Sequence, residues 1–384
     1  MRELSEDFDI VLVAVGPDHV RDRESDWELS RAMTRIVTVP SPEPGPLSDP
    51  EWGPWSTLTK ATLRSLLPGR LPAFFDTIWS EEIIAQLRAL VRDLPIDAVW
   101  ASRSWMGEMA RLAGIKKIIV DIDDFEGRAM MERLARLPSY QRRPLHQLQA
   151  RHLTRYERSL PKRFDALCIC KGEDTQFLGN GRASVHVVPN GIELPAPVSG
   201  NSRRPADILF VGALWFDPNI DALRFFIRDV WPGIRAAVDG ASLTVAGRAP
   251  ITDDLKDELM QAGAEVHESP ASVSEFYSRA SLCVAPLLTG GGTSIKVLES
   301  LAYGVPTVAT SVAVRGLGLE NGEHIAVADS PDAFRDACVE LLSHRDRASA
   351  MAMRGRENVG RRFSWSKIGA TARAAVHGLL APAR

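Results

Sequence analysis

Short, unbroken apolar runs that alternate with helical segments constrain this chain more than any other feature. In the second half, "DILFVGAL" (207–214), "ASLTVAG", "AEVHE", "SLCVAPL" and "PTVAT" each read as a strand. Helical segments lie between them: "DALRFFIRDVWPGIRAAV", "DDLKDELMQAG" ending at Gly263, "SVSEFYSRA", and "SIKVLESLAYG" stopped by Gly304. Strands apolar throughout have to be covered on both faces, and helices between them supply the cover. The pattern predicts a parallel, doubly wound α/β sheet.

The first half repeats the style with "DIVLVAV", "TRIVTV", "IDAVWAS", "KKIIVDID" and "DALCICK". Between the halves, "GIELPAPVSGNSRRPAD" lacks periodicity and is rich in Pro, Gly and Ser, which marks a linker near 195–205. At 384 residues the chain exceeds what one core usually holds. Two Rossmann-like domains facing across a cleft are therefore expected, divided near residue 200.

A formal net charge of -3, with 45% hydrophobic and 25% charged residues, gives no global excess of positive charge for nucleic acid. The longest apolar runs, such as "ILFVGALWF", fall well short of the roughly 20 residues that span a bilayer, and no leading segment reads as a signal peptide. A cytoplasmic location is expected. Cys168, Cys170, Cys283 and Cys338 are too scattered for a disulfide framework and read as buried thiols.

The stretch "GGGTSIKVLESLAYGVP" (290–306) carries the chemistry. The strand "SLCVAPL" delivers the chain to the carboxyl edge of the sheet, where ligands gather in such folds. Gly290, Gly291 and Gly292 let backbone approach a ligand closely, and the following helix adds free amides and its dipole. A lysine in a first helical turn is mildly unfavourable unless an anion sits nearby. Lys296 therefore points to a phosphate. Ile295, Leu298, Leu301, Ala302 and Val305 are predicted to face the core, with Lys296, Glu299 and Tyr303 on the flank. A carboxylate at Glu299, one turn beyond Lys296, suits vicinal ribose hydroxyls. Phosphate followed by sugar describes a nucleotide-sugar; a glycine-rich turn with an ordinary Lys-Glu pair is the bland alternative.

"PLLTGGGTSIKVLESLAYGVPTVAT" resembles the donor-site signature of the group 1, or family 4, glycosyltransferases, retaining enzymes of the B-type two-Rossmann (GT-B) fold. The resemblance extends to "ILFVGALWFDPNIDALRFF", "LTVAGR", "GLENGEHIAVADSPDAF", "RRFSW" and "VHVVPNGIEL". It implies that Glu299 holds the donor ribose and that Lys296, with Gly290, Gly291, Gly292, Thr293 and Ser294, faces the diphosphate. Gly212 matches the first loop of the donor domain, and Arg248 follows the next strand at the cleft. "FSWSKIGATARAAVHGLL" is similar to the family's last helix, so 364–384 is expected to join an acceptor-side domain of 1–200, leaving 201–363 as the donor domain. Gly291 stands where many members have a first glutamate, and Ser294 where close relatives often carry arginine. Ala213 and Asn219 lie near where many have an arginine and a lysine. The resemblance implies transfer of a sugar from a nucleotide-diphosphate donor to a saccharide or lipid-linked acceptor, in polysaccharide or glycoconjugate synthesis. It needs no metal and no cofactor beyond the nucleotide-sugar substrate. A non-catalytic nucleotide-sugar-binding relative and an epimerase of the same fold are the alternatives. No residue is singled out as a catalytic base.

Asp123 and Asp124 in "DIDDFE" follow a strand and are expected either to hydrogen-bond acceptor hydroxyls or to face solvent; a metal is not expected without converging ligands. In "RPLHQLQARHLTRYERSLPKR" (143–163), Leu145, Leu148, Leu153, Tyr156 and Leu160 share a stripe opposed by Arg151, Arg155, Arg158 and Lys162. Its two readings are a solvated surface and peripheral contact with the anionic inner face of a membrane. Residues 2–7 read as the tail of an amphipathic helix entering "FDIVLVAV", which comes second in the resembling family. The expectation is that the first domain lacks its first strand and glycine-rich loop.

Overall fold

A computed structural model describes residues 2–16, 33–40, 71–72, 80–136, 144–196 and 204–382. The chain divides into two compact units, Met1–Pro189 with Ile368–Arg384, and Asn190–Lys367. The division falls just ahead of the Pro/Gly/Ser-rich linker, whose residues 197–203 lie outside the described residues. It falls there because Ile192 joins the second core: its N–H donates to Phe363 O at 2.7 Å, and it bridges Ser364.

The second unit is a six-stranded, all-parallel sheet. Its strands are β7 (Asp207–Val211), β8 (Ser242–Gly247), β9 (Ala264–Glu268), β10 (Leu282–Ala285), β11 (Thr307–Ala309) and β12 (Ala326–Val327), in spatial order β12-β11-β10-β7-β8-β9. The chain starts in the middle at β7, winds outward through β8 and β9, then returns to lay β10 on β7's other side. The reversal lies between β7 and β10, where sheets of this kind open a ligand crevice. Both faces are buried, as the unbroken apolar runs require: Ile208 and Phe210 face one cluster with Val245, Leu298 and Phe334. Leu209 faces the other with Phe276, Tyr277 and Val305. The helix expected after β7 is interrupted. Asp217–Phe225 is α-helical, Phe226–Val230 is a π-turn, and Trp231–Ala237 resumes the α-helix. Pro232 lacks the N–H that a regular turn needs there, which accounts for the break.

In the first unit, β3 (Val99–Ser102), β4 (Ile118–Ile122), β5 (Ala166–Ile169) and β6 (Ser184–Val187) form a parallel sheet in chain order. β1 (Val11–Gly16) and β2 (Arg35–Pro40) pair in parallel as a separate ladder. Helix Pro144–Arg163 packs Leu153, Tyr156 and Leu160 on one sheet face. The opposite face takes Leu4 and, from helix Trp365–Leu380, Ile368, Ala372 and Ala375. Residues 2–7 are hydrogen-bonded turns rather than helix; Arg373 Nη1 donates to Glu3 O at 2.7 Å and holds the segment down.

Candidate functional site

The loops after β7 and β10 flank the sheet's reversal, and they bring together most of the residues singled out in the sequence. Gly212 follows β7 and Gly247 ends β8, backbone against backbone: a Cβ on Gly247 would lie 1.6 Å from Gly212 O. A Cβ on Gly212 would in turn sit 2.8 Å from Asn219 Nδ2 and 3.0 Å from Lys296 Nζ. Glycine at these two positions is what lets the loops close around the lysine.

Lys296 lies in the first turn of helix Ile295–Ala302. Its Nζ donates to Asn219 Oδ1 at 2.7 Å and stands 4.0 Å from the centroid of Phe210's ring, a cation–π contact. Asn219, buried at the start of helix Asp217–Phe225, donates through Nδ2 to Ala213 O at 2.9 Å. That bond fixes its amide so that oxygen faces the ammonium. Burial pushes the Lys296 ammonium down to about 7, with Glu299 opposing the shift. Beside it, Thr293 Oγ1 and Ser294 Oγ are buried and find no hydrogen-bond partner among the described residues. Ser294 is the helix N-cap, yet its hydroxyl makes no capping bond. Unsatisfied buried hydroxyls next to free helix amides and an ammonium form a site suited to an anion.

Glu299 stands one turn further along, half-buried. Its Oε2 accepts from Tyr277 Oη at 2.9 Å. Burial raises the Glu299 carboxyl above its usual range, while the Tyr277 hydrogen bond and Lys296 pull it back. The Tyr277 ring stacks on Tyr303, with centroids 5.0 Å apart and planes at 14°. The tyrosine belongs to helix Ser274–Arg279, far from Glu299 in sequence, and nothing in "SVSEFYSRA" signals the contact beyond the need of a buried hydroxyl for an acceptor.

Four features differ from the sequence expectation or qualify it. Ile295 is 46% exposed, not buried; the inward stripe is Val297, Leu298, Leu301, Ala302 and Val305. The helix begins only at Ile295, so its first side chain still projects from the loop side. Of the three glycines only Gly290 has positive φ, at 155°; Gly291 is buried. Arg248 is exposed, and it enters the site's framework through its backbone, its carbonyl accepting from Leu214 N at 2.8 Å. Asn219, read from sequence as a missing cation, is the residue that holds the cation that remains.

Asp123 and Asp124 lie beyond β4 in the first unit, in a small polar pocket with Arg103, Ser104, Ile122, Glu126 and Glu157. Asp123 is exposed and accepts from Cys170 Sγ at 3.3 Å. Burial pushes Asp124 up to about 6, opposed by Lys171, and Glu157 up to about 8, opposed by the Gly127 N–H that Glu157 accepts at 2.9 Å. Arg103 pairs with Glu126 at 3.0 Å. Among the described residues no group of three or more His, Cys, Asp or Glu side chains is arranged to hold a metal ion.

Residues 205–344 match the family described as "Glycosyl transferases group 1". The match spans about a third of the chain, and this part is similar to the group 1 glycosyltransferases. Over 157 residues the chain is 32% identical to the GDP-mannose-dependent alpha-(1-6)-phosphatidylinositol monomannoside mannosyltransferase of Mycobacterium tuberculosis, covering 36% of this chain and 40% of that relative. The chain thus matches less than half the length of this curated relative. Its fold is similar to that of sucrose-phosphate synthase from Thermosynechococcus elongatus, with TM-score 0.65, 14% identity, and coverage of 96% of this chain and 98% of the other. It is also similar to Anabaena HepE solved with UDP and glucose, with TM-score 0.63, 11% identity, and coverage of 91% and 88%. The two units, each built on a parallel sheet, give the chain a fold similar to the two-Rossmann GT-B fold of these structures.

Proposed function

We propose that the protein transfers a sugar from a nucleotide-diphosphate donor, with retention at the anomeric carbon, to a saccharide or lipid-linked acceptor in glycoconjugate synthesis. The observation that carries this reading is the Lys296 ammonium, set on Asn219 and Phe210 beside the unsatisfied hydroxyls of Thr293 and Ser294, with Glu299 one turn along. An ammonium and helix amides stabilise the charge that builds on a leaving diphosphate, and this electrostatic term is often the largest in such chemistry. Gly212, Gly290, Gly291 and Gly292 let the backbone come close, and Glu299 takes the ribose. Arg248, exposed after β8, is assigned to the outer phosphate or the sugar. Asp123 and Asp124 meet acceptor hydroxyls. No metal or further cofactor is required.

A lipid-linked acceptor brings a membrane into the reading. Arg151, Arg155, Arg158 and Lys162 form an exposed stripe along helix Pro144–Arg163, and none of them makes an ion pair with a described residue. Three of the four line a groove with Ser159, Gly179 and Asn180. Among the described residues no helix is long and apolar enough to cross a membrane, so contact through this face would be peripheral and electrostatic, consistent with work at a cytoplasmic surface.

The test is release of free nucleoside diphosphate from a panel of nucleotide-sugars with and without acceptor. Release that requires acceptor supports transfer. An interconverted sugar with no diphosphate released would instead identify an epimerase, and binding without turnover a non-catalytic relative.

A further inference from the structure

Two features of Tyr277 are unusual for a core tyrosine. Its ring is 1% exposed and fixed on both sides: it packs among Leu209, Ala246, Cys283 and Val305, and it stacks on Tyr303. Its hydroxyl makes a single hydrogen bond among the described residues, and that bond goes to Glu299 Oε2 at 2.9 Å. A rigid ring thus delivers a donor to a flexible carboxylate at the lip of the candidate site.

We propose that Tyr277 is a positioning residue for the donor site, its hydroxyl holding the Glu299 carboxylate in the rotamer that receives the ribose diol. The proposal rests on the donor reading of Glu299 given above. A free glutamate samples several rotamers and loses that freedom on binding, so a carboxylate held in place beforehand binds more tightly. The count of acceptor sites is compatible: a carboxylate offers about four lone-pair positions, and Tyr277 occupies one on Oε2. Oε1 and the remaining position on Oε2 stay available for two vicinal hydroxyls. Tyr277 also favours the ionised form of the carboxylate. The groups that act on Glu299 are Tyr277 and Lys296, both lowering its pKa against the effect of burial. Tyr303 lies behind Tyr277 and feels Glu299 and Glu193. Removing the Tyr277 hydroxyl removes one of the two lowering influences, so the carboxylate would protonate at a higher pH.

Tyr277→Phe keeps the stacked ring and deletes only the hydroxyl. UDP and GDP, each compared with its 2′,3′-dideoxy form, are the probes, titrated calorimetrically across pH. Expected for the variant is a Kd about tenfold higher for the preferred ribonucleotide, the scale of one hydrogen bond to a charged group. The dideoxy Kd should be unchanged and the acid limb of ribonucleotide binding displaced to higher pH. Adding Tyr277→Phe to Glu299→Gln should cost nothing further. Glu299→Asp supplies a second route: it retains the charge but is too short to meet Tyr277 and ribose together, so preference for the ribonucleotide should also fall. A variant that keeps the wild-type ribo/dideoxy ratio and acid limb, with only a lower Tm, would show Tyr277 to be structural and overturn the proposal alone. A wild-type protein that does not distinguish the ribo and dideoxy forms would overturn the ribose assignment of Glu299, and the proposal with it.

Discussion

Beyond β7 and β10 of the second unit, the sheet edge presents one ammonium, two hydroxyls without partners, helix amides and a single half-buried carboxylate. At the carboxyl ends of β3 and β4 of the first unit, with helix Pro144–Arg163 alongside, the same kind of sheet presents Asp121, Asp123, Asp124, Glu126 and Glu157 against Arg103 and Lys171. Burial deals with the two charge sets in opposite directions. It pushes Lys296 down to about 7 and Asp121 and Asp124 up to about 6, each toward its neutral form. An incoming diphosphate would reverse the shift at Lys296, whereas acceptor hydroxyls need no charge from the carboxyls they meet. Parallel topology decides where ligands sit; the buried side chains decide which chemistry can enter.

The comparison breaks most sharply at Glu299. Glu299→Ala is expected to leave the fold intact and to weaken nucleotide-sugar binding by about 1.5–3 kcal/mol, the cost of losing hydrogen bonds to a charged acceptor. Calorimetric titration of a nucleotide-sugar panel against both proteins checks it, and equal affinities would end the ribose assignment.

Lys296→Met should cost a nucleoside diphosphate about 1.5–2 kcal/mol and a bare nucleoside little, because a charge-assisted bond to phosphate is what disappears. The wild-type protein should show a signature that the variant lacks. With Lys296 titrating at about 7, the ammonium fraction falls as pH rises through that value. Diphosphate affinity is therefore full below about pH 7 and declines above it, while the methionine variant should be flat across that window. Thermal shifts with UDP and uridine between pH 6 and 9 would show the difference; a uniform loss for both ligands would point to misfolding.

Asn219→Asp sharpens the contrast by importing the first unit's chemistry into the second. A carboxylate 2.7 Å from Lys296 Nζ would raise the lysine's pKa and cancel the charge meant for phosphate. Diphosphate binding should weaken by about 1 kcal/mol with its alkaline limb moved upward, a displacement that a binding profile against pH would reveal. An unchanged profile would mean that Asn219 does not face the working form of Lys296.

The last effect is expected at Glu157, and it is on stability rather than on binding. Its folded pKa of about 8 lies above the ordinary 4.5, so the stability linked to holding its proton is full below about pH 4.5 and is lost as pH climbs to about 8. Glu157→Gln retains an acceptor for the Gly127 N–H and cannot ionise. It should be more stable than wild type by an amount that grows between pH 5 and 8, at up to about 1.4 kcal/mol per pH unit. Denaturant unfolding at both pH values measures it, and an equal difference at each would mean that Glu157 stays charged.

Much of the second unit was legible from order and composition. "DILFVGAL" and "SLCVAPL" could be read as two-faced strands because no polar residue breaks them, and a strand buried on both faces leaves no room for one. The glycine run and the misplaced lysine marked the candidate anion site, since a helix dipole penalises a cation in its first turn. The phase of helix Ile295–Ala302 was harder. A stripe can be drawn through Ile295 as readily as through Val297, and only the position of the N-cap settles which one turns inward.

What the sequence determined by itself was therefore the parallel α/β architecture, the place of the glycine loop and the presence of Lys296 and Glu299 one helical turn apart, because these depend on local periodicity and near-neighbour spacing. The partners that fix those two groups were decided only in three dimensions. Asn219 reaches Lys296 across 77 residues and Tyr277 reaches Glu299 across 22. Each contact exists because the crossover lays β10 beside β7 and packs the helices Asp217–Phe225 and Ser274–Arg279 near the helix that follows β10. A hydrogen bond between side chains so far apart in the chain leaves no period in the sequence; it is set by which strands become neighbours.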